Sequence, residues 1–199
     1  MSFSQKFSIP DNKIIVLYLG KLEKIKGVYE FIGGIDIANT KCNNNLHGII
    51  IGYGDQYNNV KKIISTKSSI TLIPRINHDE IFNVHGLSDI YVSPNRLANL
   101  TNANLEAMAS GSCIVIPKSQ TSTSVDLVTD RLLSDKAVYR VDFPPADSSI
   151  ANALVNLYDS PELRSSLSHN VVIESKKFLT PWNERISKEL GIIRRLLRK

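Results

Sequence analysis

Short runs of apolar and β-branched residues alternate along this chain with longer stretches in which apolar residues recur at helical spacing. Such alternation is typical of a parallel sheet whose strands are joined by crossover helices. The pattern predicts five strands and a sixth near residue 140, and so an α/β fold with a doubly wound parallel sheet. The predicted strands are Ile14–Leu19, His47–Ile51, Ile70–Ile73, Asp89–Ser93, Cys113–Ile116 and Ala137–Val141.

The stretches between the strands are predicted as helices. They lie near Val28–Ala38, Tyr57–Ser65, Asp79–His85, Asn102–Ser110 and Ser122–Val128. Beyond about residue 146 the strand pattern stops and only helices follow, with Pro161 and Pro181 near two of the helix starts. Doubly wound sheets bind ligands beyond the carboxyl ends of their strands. The loops after the first, second, fourth and fifth strands are therefore the candidate ligand-binding loops.

The last segment is predicted as an amphipathic helix that starts near Trp182. Its apolar stripe consists of Ile186, Leu190, Ile193 and Leu197. Two interpretations fit this helix: the stripe packs across another domain, or the basic end lies on an anionic membrane surface. We divide the chain into a linker remnant (1–12), one α/β domain that carries the candidate ligand-binding loops (13–180) and this basic tail (181–199).

Composition narrows the possible functions. The chain has 24 basic and 19 acidic residues, and the last fifteen residues hold six of the basic and one of the acidic side chains, so the remainder is balanced. No broad cationic face for nucleic acid is expected. Cys42 and Cys113 form no Cys-x-x-Cys pair, and the four histidines show no metal-ligand spacing. Without a signal sequence or a membrane-spanning run, we expect a cytoplasmic chain that needs no metal.

The loop after the first strand carries the first candidate chemistry. It runs from Gly20 to Gly27 and leads straight into a helix, whose start offers free N–H groups and a positive dipole end. Lys21 and Lys26 would add mobile counter-charges for a diphosphate. The alternative is a solvated lysine loop, and Lys24 is assigned to that class.

Two further segments contain residues that could bind a ligand. The turn Gly52-Tyr53-Gly54 lacks the third glycine of a dinucleotide fingerprint, which disfavours a hydride-transfer enzyme. In the segment 102–111, Thr101 or Asn102 can cap a helix. Glu106 then lies in the second turn, where a carboxylate can accept both hydroxyls of a ribose. The alternative for Glu106 is an ordinary exposed helix acid.

Taken together, these segments resemble group 1 (family 4) retaining glycosyltransferases. The resemblance rests on Gly20-Lys21-Leu22-x-x-x-Lys26-Gly27, Ile51-Gly52-Tyr53-Gly54, Ser93-Pro94 and Leu105-Glu106-Ala107-Met108-Ala109-Ser110-Gly111, in that order. Residues 159–164 and 182–186 resemble the C-terminal helices of the family. The resemblance implies a Rossmann-like domain, the C-terminal half of a two-domain GT-B fold, with the acceptor-binding N-terminal half missing here.

The same resemblance implies roles for individual residues. Lys21 and Lys26 would bind the donor diphosphate, and Glu106 would bind the ribose. A loop of five residues would contact the donor sugar and phosphates: Asn99, Leu100, Thr101, Asn102 and Asn104. No covalent nucleophile is implied, and the catalytic residues stay unknown. The implied reaction moves a hexosyl unit from a nucleoside-diphosphate sugar, UDP-linked by preference, to a saccharide or lipid-linked acceptor in surface glycan synthesis.

The chain departs from the family pattern at two positions. Lys21 replaces a more usual arginine, which keeps the charge but loses the bidentate fork. Ala98 stands where many members have the first glutamate of a Glu-x7-Glu pair. Three interpretations remain: half of an enzyme that is inactive alone, a non-catalytic nucleotide-sugar-binding module or degenerate transferase, and a ligand-free α/β scaffold. The two lysines and Glu106 argue against the third.

Overall fold

A computed structural model describes residues 2–120, 122 and 126–197 of the chain. In these residues six parallel strands form one sheet in the order β3-β2-β1-β4-β5-β6. The strands are β1 Ile14–Leu19, β2 Leu46–Ile51, β3 Ile70–Ile73, β4 Ile90–Val92, β5 Ile114–Pro117 and β6 Tyr139–Val141. The predicted doubly wound, Rossmann-like sheet is confirmed, and each strand lies at or close to its predicted position.

Nine helices occur in the described part of the chain, one before the first strand and the others between and after the strands. They are α1 Phe3–Phe7, α2 Val28–Lys41, α3 Tyr57–Ile64, α4 Ile81–Leu87, α5 Asn102–Ala109, α6 Leu127–Leu132, α7 Asp147–Asp159, α8 Pro161–Ser175 and α9 Trp182–Leu196. Short 3-10 turns occur at Lys24–Lys26 and His78–Glu80. Within the helix predicted over Ser122–Val128, residues 123–125 lie outside the described residues, Ser122 and Asp126 are turn residues, and the helix begins only at Leu127.

The sheet is buried on both faces because its strands are apolar on both faces. Successive side chains of a strand point to opposite sides. In β1, Val16 and Tyr18 therefore join the core layer that α2, α3 and α7 cover. Ile15 and Leu17 join the opposite layer, which α4 and α5 cover. This arrangement holds the strand ends, and the loops that follow them, on a rigid base.

The strand order reverses at β1, which pairs with β2 on one side and with β4 on the other. The crossover connections on the two sides of this point leave the sheet in opposite directions. The loops after β1 and β4 therefore diverge and leave a crevice at the carboxyl ends of these strands, which is the usual ligand position in doubly wound sheets.

The two ends of the chain differ in how they contact the domain. Part of the segment 1–12, assigned to a linker, packs on the domain. Phe3 and Phe7 contact the core layer that contains the buried Ile9. By contrast, α9 has no buried residue, and its large apolar side chains are exposed. Arg198 and Lys199 of the predicted basic tail lie outside the described residues. No helix in the described residues has the length and apolar character that crossing a membrane requires.

Candidate functional site

A cavity of about 410 Å³ opens in the crevice between β1 and β4. One wall comes from the end of β1 and the loop after it, and the other from the loop after β4 and the start of α5. The lining residues are Tyr18, Leu19, Gly20, Lys21, Lys26, Ser93, Asn95, Thr101, Asn102 and Ala103. The structure thus brings together two loops that are separated by some 70 residues along the chain.

The first turn of α5 opens into this cavity. Thr101 is the N-cap, and its hydroxyl oxygen accepts a hydrogen bond from the backbone N–H of Asn104 at 3.4 Å. The N–H groups of Asn102 and Ala103 precede the first intrahelical bonds, so they have no partner within the helix. Free N–H groups and the positive end of the helix dipole form a binding site for an anion.

The two lysines singled out in the sequence lie on the opposite wall. Lys21 and Lys26 both line the cavity. The side chain of Lys21 is 76% exposed, and its Nζ lies 3.8 Å from a carboxylate oxygen of Glu23, a contact too long and too exposed to hold it firmly. Lys24, assigned to solvent from the sequence, is not among the described residues that line the cavity. Two positive side chains therefore border the cavity into which the start of α5 opens.

The loop that carries these lysines is held by buried contacts. The hydroxyl of Tyr18 donates a hydrogen bond to the carbonyl oxygen of Lys21 at 2.9 Å, and burial raises the pKa of this hydroxyl above its ordinary value, so it stays a donor. Gly27 has φ +77°, and a Cβ there would lie 2.4 Å from the carbonyl oxygen of Pro94. Only glycine allows this approach, which brings Lys26 against the loop after β4.

The glycine turn after β2 supports the same loop. A Cβ at Gly52 would lie 1.8 Å from the carbonyl oxygen of Gly20, and one at Gly54 would lie 2.5 Å from that of Leu22. Between them, the carbonyl of Tyr53 accepts a hydrogen bond from the N–H of Leu22 at 3.2 Å. These glycines are therefore needed for close packing of two loops. This packing role accounts for the Gly52-Tyr53-Gly54 motif, so no dinucleotide-binding role is needed to explain it.

A second cavity of about 380 Å³ adjoins the first, and the two share Leu19, Gly20 and Lys21. Its other lining residues are largely apolar or aromatic: Ile51, Gly52, Tyr53, Pro74, Arg75, Ile76 and Ile81. Sequence reasoning missed the part contributed by the loop after β3. The strand order would have indicated this loop, because β3 pairs in parallel with β2 and the carboxyl ends of both strands lie at the same edge of the sheet.

The asparagines of the loop after β4 divide into two groups. Asn99 and Asn104 are buried, and the Nδ2 of Asn104 donates to the carbonyl of Asn99 at 2.9 Å while its Oδ1 accepts from the hydroxyl of Tyr91 at 2.8 Å. Asn102 is exposed at the cavity. Leu100 packs against the core. The sugar- and phosphate-binding roles of the loop stay predictions, but the amide of Asn104 is occupied by internal bonds.

Glu106 lies in the second turn of α5, as its position in the sequence predicts, and is half-buried. Burial raises the pKa of its carboxyl group, and nearby His78 partly offsets this effect. His78 follows the β3 loop that lines the second cavity. Within the described residues the Glu106 carboxylate makes no hydrogen bond or ion pair with protein, so it is free to accept from a ligand. Its ribose-binding role stays a prediction.

Two further features of the site are Ala98, which has no polar side chain, and the distribution of potential metal ligands. The methyl group of Ala98 is exposed, and its carbonyl accepts a hydrogen bond from the Nδ2 of Asn95. The described residues contain no group of three or more His, Cys, Asp or Glu side chains placed to share a metal ion. The expectation that no metal is required stays a prediction.

Comparison with known proteins identifies the family. The sequence pattern of the family described as "Glycosyl transferases group 1" matches residues 2–171. An alpha-D-kanosaminyltransferase of Streptomyces kanamyceticus is 26% identical over 163 residues, which is 80% of this chain and 40% of that protein. The chain thus spans well under half the length of this curated relative.

Solved structures show the same fold. The C-terminal domain of a glycosyl transferase group 1 family protein from Francisella tularensis has a TM-score of 0.72 at 22% identity, covering 87% of this chain and 89% of that one. A protein of Anabaena crystallised with UDP and glucose has a TM-score of 0.77 at 14% identity, covering 94% of this chain and 50% of that one. With the match over residues 2–171, this chain belongs to the group 1 glycosyl transferases.

Proposed function

We propose that this chain is the donor-binding half of a retaining glycosyltransferase that takes a hexosyl unit from a UDP-sugar. One observation carries the proposal: Lys21, Lys26 and the N-terminus of α5 line a single cavity at the reversal point of the sheet. A diphosphate needs concentrated positive charge from more than one side, and these groups supply it. UDP is chosen because related folds have been crystallised with it.

The two adjoining cavities suggest which part of the donor binds in each of them. The diphosphate lies in the first, between the lysines and α5. The nucleoside extends past Gly20 into the second cavity, whose apolar lining suits a flat base. Glu106 is outside the lining of both cavities but near His78, which follows the β3 loop, and we assign the ribose hydroxyls to its carboxylate.

The chemical task of these residues is to stabilise the leaving diphosphate. Negative charge grows on the diphosphate as its bond to the sugar breaks, and preorganised N–H donors and lysine ammonium groups stabilise that charge most in the transition state. The site thereby supplies without a metal the counter-charge that a metal would otherwise provide. Retention then needs no covalent nucleophile from this half, because the leaving group itself helps to direct the acceptor hydroxyl.

Recognition of the transferred sugar falls to the start of α5. With the Asn104 amide used internally, the exposed Asn102 amide and the first N–H groups of the helix are the polar groups of α5 that stay available to a ligand in the cavity. Ala98 offers only a methyl group where a glutamate is frequent in the family. This subgroup therefore holds its sugar through Asn102 and the backbone.

Calorimetry with UDP tests the proposal directly. Wild-type chain should bind UDP weakly, since only one wall of the cleft is present. Lys26→Ala removes one charge-assisted contact of about 1.5–3 kcal/mol, which weakens binding about tenfold or more. Lys24→Ala is the matched control, because this lysine lies two residues away and outside the cavity lining. Absence of saturable binding of UDP, GDP or ADP to the wild type at millimolar concentration would refute the donor site.

Transfer itself requires an acceptor-binding half in addition to this one. Much of the rate of a two-substrate enzyme comes from holding both substrates together in a cleft that excludes water. The chain alone should hydrolyse donor slowly at most. Addition of an N-terminal half, in trans or fused, should produce acceptor-dependent release of UDP with a saccharide or lipid-linked acceptor of surface glycan synthesis. Acceptor-dependent release by the chain alone would contradict this part of the proposal.

A second candidate is a nucleotide-sugar-binding module or degenerate transferase, and Ala98 is the observation that favours it. The two candidates predict the same UDP binding but different turnover. If the two-half protein binds donor without transfer, and Ala98→Glu restores activity, the degenerate interpretation is correct. Transfer by the unaltered two-half protein selects the enzyme.

We place the protein in the cytoplasm, with α9 as its contact to a further partner. The helix carries Arg185, Lys188, Arg194 and Arg195, beside an apolar stripe that is exposed. Two partners suit such a helix: the acceptor half, through the stripe, or the anionic inner face of a membrane, through stripe and charges together.

A further inference from the structure

Tyr53 is an exposed aromatic residue at the mouth of the second cavity. The residue is 59% exposed, although it lies in a turn whose backbone is closely packed. Gly52 and Gly54 on either side of it are pressed against the loop after β1. The backbone of Tyr53 is therefore fixed, while the residue lines the second cavity and stays exposed there.

The ring is also supported from behind. The ring of Tyr57, in the first turn of α3, lies 4.8 Å away between centroids at an angle of 32°. Tyr57 is partly buried and packs against the core layer that contains Val60. Such a pair presents one face of the Tyr53 ring in a restricted orientation. Little side-chain entropy is left to lose when a ligand covers it.

We propose that Tyr53 stacks on the nucleobase of the donor and is the principal side-chain contact of that base. This inference rests on the proposed function. A base joined to a diphosphate held by Lys21 and Lys26 reaches the second cavity across the shared residues Leu19, Gly20 and Lys21. Covering the exposed ring with a flat apolar surface removes both from water.

Stacking also defines what Tyr53 does not do. Every base offers a π-face, so an aromatic platform binds all of them with similar strength. Tyr53 therefore adds affinity for nucleoside diphosphates as a class and does not choose among uracil, adenine and guanine. A ligand that lacks a base gains nothing from the ring.

The test compares ligands with and without a base on the same variants. Calorimetry measures UDP, ADP and inorganic pyrophosphate against wild type, Tyr53→Ala and Tyr53→Phe. Loss of the ring should weaken UDP and ADP at least about fivefold, the lower end of what one stacked base contributes. Tyr53→Phe should keep affinity within about twofold, and pyrophosphate should bind all three equally. Trp182→Ala, an exposed aromatic position on α9, is the control and should change nothing.

Several outcomes would overturn the inference, and they differ from failure of the proposed function. Unchanged UDP affinity in Tyr53→Ala, or an equal loss for pyrophosphate, would show that the ring does not contact the base. If the wild type binds pyrophosphate as tightly as UDP, the base makes no favourable contact. The inference about Tyr53 then fails, while the diphosphate site stands. Wild type that binds neither ligand would overturn the proposed function together with this inference.

Discussion

Asp126 accepts two hydrogen bonds from Asn99 through the same carboxylate oxygen. One comes from the backbone N–H at 3.1 Å and the other from the side-chain Nδ2 at 2.6 Å. Asn99 in turn accepts a bond at its carbonyl from Asn104, whose Oδ1 is bonded to the hydroxyl of Tyr91. A chain of polar contacts thus ties the loop before α5 to β4 on one side and to the segment after β5 on the other. The entry to α5 is held in place by the protein itself, without help from a ligand.

Removal of this carboxylate should loosen the entry to α5. Asp126→Ala leaves two donors of Asn99 buried without a partner, at a cost of about 1–3 kcal/mol in the free energy of unfolding. We also expect weaker UDP binding, because the first N–H groups of α5 lose their fixed direction. Urea denaturation and calorimetry measure the two effects. Asp11→Ala is the control, since Asp11 is exposed. Unchanged stability in Asp126→Ala would refute the structural role.

Glu106 should distinguish ligands by their ribose. If its carboxylate accepts both hydroxyls, Glu106→Gln weakens UDP binding, by about 1 kcal/mol or more for a lost bond to a charged group. The same change should matter much less for 2′-deoxy-UDP, which already lacks one donor. A double comparison of two proteins with two ligands measures the coupling. Equal affinity of the wild type for both nucleotides, with no effect of Glu106→Gln, would refute the assignment.

Acid should destabilise the domain through His85. This residue is buried, with its Nδ1 3.1 Å from the hydroxyl of Ser112, and burial lowers the pKa of its ring to about 4. The unfolded chain takes up a proton near pH 6.5, before the folded one. The stability that depends on neutral His85 is therefore complete above pH 6.5 and is lost as the pH falls towards 4, by up to about 3 kcal/mol.

The measurement is the slope of the free energy of unfolding between pH 6.5 and pH 4. His85→Gln should flatten it, whereas His169→Gln, at an exposed position, should leave it as in the wild type. His47, whose pKa is also lowered by burial, contributes equally to all three proteins and cancels in the comparison. An unchanged slope in His85→Gln would contradict the prediction.

Amide exchange should separate α9 from the rest of the chain. In the described residues α9 has no buried side chain, so its backbone bonds can open without unfolding the domain. We expect rapid exchange over residues 186–197 and slow exchange in β1, β2 and β5. Addition of the acceptor half should slow exchange in α9 if the apolar stripe packs across it. Slow exchange of α9 in the isolated chain would contradict the conclusion that this helix is not packed on the domain.

Vesicles test the other partner of this helix. If α9 lies on an anionic membrane, the chain should sediment with vesicles that contain phosphatidylserine and stay in solution with neutral ones. Each basic residue near such a surface contributes about 1 kcal/mol, so Arg194→Ala with Arg195→Ala should weaken binding roughly 30-fold. Unchanged sedimentation of this double variant would exclude an electrostatic contact through the end of α9.

Much of the fold could be predicted from the sequence because its causes are local. Strands such as β1 and β3 have their predicted bounds, since runs of buried apolar residues separated by turn residues specify strands within a few positions. The N-cap at Thr101 follows in the same way from the residue type at a helix start. The positions of Lys21 and Lys26 after a strand were enough to nominate them, and both line the cavity.

Only the tertiary structure decided which polar side chains of the site are available to a ligand. Asn99, Asn102 and Asn104 look alike in the sequence, but Asn99 and Asn104 are buried while Asn102 faces the cavity. The difference depends on Tyr91 and Asp126, which are distant along the chain. The burial and hydrogen bonding of a loop residue depend on which segments the sheet order brings beside it. The local sequence pattern around the residue does not indicate those segments.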